Sequence, residues 1–150
     1  MDVEREYWNV VDGGDLMLRV EYGNDLDVSS HGSGFPTVDD AKGGAGPSDL
    51  DSFIDSPWNL NNFPTVDGSL LQHVSPNGEI SGVSAPWVYV GMLFSSFCWH
   101  NEDNYLYSIN YMHYGATKTW YVTLDPEKYL NGVNNMHCVA AKTLIPNPKP

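Results

Sequence analysis

Two hydrophobic periods follow one another at the start of this chain, and the switch between them marks its first elements. In residues 2–11 apolar side chains fall at Val3, Tyr7, Trp8, Val10 and Val11, and their i, i+4, i+7, i+8 spacing suggests a short amphipathic helix. Gly13-Gly14 ends it. Residues 16–22 then alternate strictly, with Leu16, Leu18, Val20 and Tyr22 on one face and Met17, Arg19 and Glu21 on the other. That pattern predicts a half-buried strand with the Tyr22 hydroxyl at the end of its inward face; a core tyrosine with an ordinary partner is the plainer alternative. Residues 23–57 lose periodicity, carry Gly32-Ser33-Gly34-Phe35-Pro36 and Gly43-Gly44-Ala45-Gly46-Pro47, and read as a mobile surface loop.

Apolar character resumes at Trp58, residues 69–74 suggest a short strand, and Ser75-Pro76-Asn77-Gly78 signals a turn. Residues 86–100 form a dense aromatic and β-branched run without helical period, which predicts one or two strands buried on both faces, bent at Gly91 or at Ser95-Ser96. Residues 105–114 predict another strand, Gly115-Ala116 a turn, and residues 118–122 a third strand with Lys118 and Trp120 on one face. Two strands joined by a short glycine-containing loop form an antiparallel hairpin. Residues 125–130 look like a helix start, and the pattern fades after Val133, so residues 123–150 read as a divergent, poorly ordered tail.

Size and composition narrow the class. With 150 residues, 41% of them hydrophobic and 13% aromatic, the chain matches one domain able to bury a core. No apolar run of about 18 residues predicts a membrane span, and residues 1–11 lack the apolar stretch of a secretory signal. Cys98 and Cys138 are too few for a disulfide framework and read as buried free thiols. The net charge of −12 repels phosphate backbones, so direct nucleic-acid binding is disfavoured and a basic peptide tail is a compatible partner; plain solubility is the stronger account of the charge.

The chemistry-bearing stretch is Trp99-His100-Asn101-Glu102-Asp103. In extended backbone residues i and i+2 project from one face, so His100 and Glu102 can grip one metal ion, two members of the two-His-one-carboxylate set that holds non-haem Fe(II). A polar strand end with nothing bound is the alternative. In the predicted hairpin Ser108, Asn110 and Lys118 can converge on the concave surface that His100 and Glu102 border, where a bound anion would satisfy them; an outward-facing polar side fits the same letters.

Several motifs, in order, carry a resemblance: Val20-Glu21-Tyr22-Gly23-Asn24-Asp25, Gly32-Ser33-Gly34-Phe35-Pro36, Trp58-Asn59-Leu60-Asn61-Asn62, and a long block from Ile80-Ser81-Gly82 through Pro86-Trp87, Tyr89-Val90-Gly91-Met92, Phe94-Ser95-Ser96-Phe97-Cys98-Trp99-His100 and Tyr107-Ser108-Ile109-Asn110-Tyr111 to Lys118-Thr119-Trp120-Tyr121. Together they resemble the jumonji C (JmjC) histone lysine demethylases, JARID-type enzymes and their plant relatives in particular. The resemblance implies a mainly β fold, a double-stranded β-helix (jelly-roll) barrel behind a short N-terminal helix, with residues 1–122 forming the N-terminal part of the catalytic domain. It implies oxidative demethylation of the methylated histone H3 tail with Fe(II), O2 and 2-oxoglutarate, in the nucleus, as chromatin and transcription regulation. His100 and Glu102 match the first two iron ligands. Lys118 and Tyr22 match the pair that holds the distal carboxylate of 2-oxoglutarate, Ser108 and Asn110 its polar lining, Phe97 the aromatic wall and Trp120 a neighbour in the pocket.

The chain departs from that pattern after Tyr121, where Val122-Thr123-Leu124-Asp125-Pro126 stands in place of the family's Gly-Val-Pro. The third iron ligand, a later His, is expected beyond Pro150, and His137 lies in an unmatched context and is not assigned. The strands that close the barrel are also expected there, so the chain reads as a fragment or alternative product with little or no turnover of its own. A non-catalytic tail-binding or scaffold piece of such a demethylase is the second reading. A small cupin-like barrel without a histone link is the third, and the number of ordered motifs disfavours it.

Overall fold

Asp2 accepts a hydrogen bond from the Arg5 amide at 3.3 Å and an ion pair from its guanidinium at 3.0 Å, which satisfies an orphan donor and starts helix α1, Val3–Gly13. Glu4 and Glu6 lie in its first turn, where acidic groups suit the helix dipole. Gly14, at φ 63°, supplies the left-handed cap. The helix expected at the N-terminus is therefore present.

A computed structural model describes residues 2–14, 17–42, 50–74, 78–98, 100–122 and 136–138. It divides into two units, one made of Met1–Tyr22 with Gly91–Pro150, the other of Gly23–Val90.

In the first unit α1 is tied to later chain by aromatic and hydroxyl contacts. Tyr7 donates to Ser96 Oγ at 3.1 Å and its ring lies 5.9 Å from that of Phe94. Trp8 Nε1 donates to the Tyr121 hydroxyl at 3.1 Å, and that hydroxyl donates to Glu4 Oε1 at 2.5 Å. Ser95 is fully buried; its hydroxyl accepts from the Met92 amide at 2.9 Å and donates to the Glu21 carbonyl at 3.3 Å. A three-stranded antiparallel sheet completes the unit, with β5 (Met136–Cys138) between β3 (His100–Asn101) and β4 (Tyr121–Val122). His100 stands opposite His137, and Tyr121 opposite Cys138.

The second unit holds most of a two-stranded sheet, β1 (Tyr22–Asp27) and β2 (Trp87–Gly91), and the short helices α2 (Val28–His31), α3 (Val38–Lys42) and α4 (Leu50–Ile54). Asn59, 3% exposed, is its polar hub. Its amide group donates to the carbonyls of Pro36 at 2.9 Å and Phe53 at 3.2 Å, and Asn62 donates to that of Ile54 at 2.6 Å. Irregular backbone carries donors and acceptors that no ladder satisfies, and the Asn side chains of the Trp58–Asn62 motif meet that need. Trp87 Nε1 donates to Ser81 Oγ at 2.6 Å, and Ser81 donates to Asp27 at 3.3 Å.

Several expectations are corrected. The strand expected at residues 16–22 starts only at Tyr22 and runs to Asp27, because pairing with β2 selects the segment over its own alternation. Residues 23–57, expected as loop, include the rest of β1 and three short helices. Residues 69–74 wind into a 3-10 turn, Leu70–His73, capped by Ser69, whose hydroxyl accepts from the Leu71 amide. The run at 86–100 holds the strand Trp87–Gly91 and ends at the start of β3, His100, as one or two strands with a break after Gly91 would, but it is not buried on both faces: Val90 is 61% exposed. Residues 105–114 and 118–122 do not form the expected hairpin among the described residues; β4 pairs with β5 instead, so part of the tail is an ordered strand. Cys98 is exposed, not buried. Ile54, Pro64 and Ala85 are the buried apolar residues among those described, so the expected apolar core is slight there; the two- and three-stranded sheets are consistent with the incomplete barrel expected, and no barrel is seen among the described residues. The Gly43–Pro47 cluster, the turn at 75–78 up to Asn77, the helix start at 125–130 and the side chain of Cys138 lie outside the described residues. No helix among the described residues is long and apolar enough to cross a membrane.

Candidate functional site

Every residue singled out for the site belongs to the first unit. His100 opens β3, and Glu102 follows in extended backbone, φ −65° and ψ 144°. His100 Nδ1 lies 2.8 Å from the Cys98 carbonyl oxygen. A carbonyl only accepts, so Nδ1 carries a hydrogen, and in the neutral ring Nε2 holds the lone pair. That is the arrangement found around metal-binding imidazoles. Glu102 accepts from Ser108 Oγ at 2.7 Å through Oε1, which leaves Oε2 as the second oxygen.

Phe97 is the centre of the remaining cluster. Its ring lies 5.2 Å from the Tyr22 ring, edge to face, and 6.5 Å from the His100 ring. The Lys118 ammonium stands 4.3 Å from the Phe97 centroid and 4.9 Å from that of Trp120, within cation–π range of both. The Tyr22 hydroxyl is buried. Burial pushes the Lys118 amine down from 10.5 to about 8, since leaving water disfavours the charged form. Tyr22, His100 and Lys118 thus each neighbour the Phe97 ring, Trp120 neighbours Lys118, and Glu102 follows two residues after His100. Ser108 joins this cluster through Glu102, whereas Asn110 is exposed and makes no hydrogen bond to the cluster among the described residues.

The pattern alone did not reveal the Cys98 carbonyl or the Ser108–Glu102 bond. Both depend on irregular backbone between residues 98 and 108, including a left-handed Asn104 at φ 53°. Among the described residues no group of three His, Cys, Asp or Glu forms a metal-holding set. The donor set seen is one imidazole and one carboxylate, which suits Fe(II) but lacks the usual third donor.

Residues 87–143 match the family described as JmjC domain, hydroxylase. That segment is similar to part of a JmjC domain. The match runs past Tyr121 into the segment where the motif pattern departs. Over 120 residues, 79% of this chain and 10% of the relative, the chain is 50% identical to lysine-specific demethylase JMJ17 of Arabidopsis thaliana. It is 51% identical over 125 residues to lysine-specific demethylase JMJ703 of Oryza sativa subsp. japonica, covering 80% of this chain and 9% of the relative. It is 49% identical over 119 residues to lysine-specific demethylase 5B of Gallus gallus, covering 79% and 8%. The chain therefore spans about a tenth of the length of the curated relatives it matches.

Proposed function

We propose that this chain contributes metal and cosubstrate groups to an Fe(II)/2-oxoglutarate-dependent demethylase of methylated lysine on the histone H3 tail, acting in the nucleus on chromatin, within a jelly-roll barrel. One observation supports the reading: Lys118, Tyr22 and His100 all neighbour the Phe97 ring. An anion-binding pair and a metal-binding imidazole thereby neighbour one ring.

His100 Nε2 and Glu102 Oε2 would hold Fe(II), which when bound activates O2 for hydroxylation of an N-methyl group. The chain's own residues bind and orient. The Lys118 ammonium, on a long stem between two aromatic faces, offers charge-assisted hydrogen bonds to the distal carboxylate of 2-oxoglutarate. The Tyr22 hydroxyl is a second donor. Phe97 and Trp120 wall the diacid from water, which strengthens both contacts, and Ser108 stands beside the same space through Glu102. A net charge of −12 draws the basic H3 tail toward the site.

A second reading has its own support: only two protein donors are seen among the described residues, so the chain can hold a methylated tail without turning it over. Both are tested by incubating the chain with Fe(II), 2-oxoglutarate and trimethylated H3 peptide, following methyl loss by mass and peptide retention by fluorescence anisotropy. Methyl loss that disappears in His100→Ala supports the demethylase. Retention without methyl loss supports the binding role, and neither outcome sinks both.

A further inference from the structure

The Ser108 hydroxyl has one hydrogen, and it is directed at Glu102 Oε1 over 2.7 Å. A hydroxyl holds a single hydrogen and two lone pairs, and an ionised carboxylate only accepts. Ser108 therefore has only lone pairs left for any other neighbour. The carboxylates and ketone of a 2-oxo diacid also only accept, so Ser108 cannot donate to one while it holds Glu102. Wall residue alone does not describe it.

We propose that Ser108 is a positioning residue for the metal: by engaging Oε1 it fixes the Glu102 carboxylate, leaves Oε2 for the divalent cation, and makes Glu102 a one-oxygen ligand. This rests on the iron site proposed above and extends it to a residue outside the donor set. Two observations support it. The backbone after β3 is irregular, with Glu102 extended and Asn104 left-handed, so no long element restrains the Glu102 side chain. A glutamate has several rotamers of similar energy, and the bond from Ser108 is the hydrogen bond that selects one among the described residues. The other donor is treated alike: His100 Nδ1 is held by the Cys98 carbonyl at 2.8 Å. Each donor thus has its non-ligating atom tied by a neighbour, the outer arrangement that orients metal ligands.

Cobalt(II), whose visible absorption reports its coordination, tests the assignment. It is titrated into the chain and into His100→Ala, Ser108→Ala and Ser108→Thr, with metal-free thermal unfolding measured for each. Ser108→Ala is expected to weaken cobalt binding about 10-fold or more and to alter the band, without moving metal-free unfolding, because Ser108 is exposed. Ser108→Thr keeps a hydroxyl and restores most of the affinity. Unchanged affinity and band in Ser108→Ala overturn the inference and leave the iron site standing, provided His100→Ala loses cobalt. Binding that survives His100→Ala, or no binding by the parent chain, overturns the iron site and this inference with it.

Discussion

The Lys118 ammonium lies 4.3 Å from the centre of the Phe97 ring. Two forces act on that amine in opposite directions. The ring's negative face favours the charged form, while loss of water disfavours it, and burial prevails, drawing the amine down to about 8.

Affinity for 2-oxoglutarate should therefore be flat below pH 8 and fall above it. The diacid binds the ammonium, so the bound amine titrates higher than the free one, and binding just above pH 8 takes up a proton. Calorimetry in two buffers of different ionisation enthalpy checks the uptake. Without ligand the sign is the reverse of a salt-bridged lysine. The unfolded amine titrates near 10.5 and the folded one near 8, so the unfolded chain holds more protons between those values. Stability should rise with pH across that window.

Lys118→Met keeps an apolar stem against Phe97 and Trp120 and removes the charge. A hydrogen bond to a charged group contributes about 1.5–3 kcal/mol, so 2-oxoglutarate binding should weaken roughly 10- to 150-fold while unfolding changes little. Binding unaltered by this substitution would mean that the diacid is held elsewhere.

Tyr121→Phe removes the bond to Glu4 at 2.5 Å and the acceptor for Trp8 at 3.1 Å. A loss of about 1–3 kcal/mol is expected in urea unfolding. A double-mutant cycle with Glu4→Ala should give a coupling of about 0.5–3 kcal/mol. Burial and the Glu4 bond both raise the Tyr121 hydroxyl above 10.0. Its contribution is therefore complete below pH 10 and fades as pH rises beyond it.

Gly82→Ala introduces a Cβ 2.6 Å from the Trp87 indole, at a φ of +79°. Both the overlap and the left-handed backbone oppose it, and about 1–3 kcal/mol of destabilisation is expected by thermal unfolding. A neutral outcome would show that the Trp87–Ser81 contact yields easily.

Helix α1 was legible because Asp2, the Val3/Tyr7/Val10/Val11 spacing and Gly13-Gly14 agree on one answer. The pairing of His100 with Glu102 rests on an i, i+2 spacing, which needs only extended backbone. The association of Tyr22 with Lys118 came through resemblance to known sequences, since nothing in local periodicity links positions so far apart. Strand β1 was misplaced for a physical reason. Gly23, Asn24, Asp25 and Asp27 are weak strand formers, yet β2 pairs with that segment rather than with the better alternating residues before it. Nothing in Met136-His137-Cys138 marks it as the middle strand of a sheet.

That middle strand sets an order on assembly. β5 lies between β3 and β4, so the His100 edge and the Tyr121 edge each wait for backbone made later than either. During synthesis both must stay open until residue 138 has emerged, and contacts between distant positions form slowly. Exposed strand edges are templates for pairing with other chains, so the imidazole end of this protein is open to wrong partners while the ribosome is still at work.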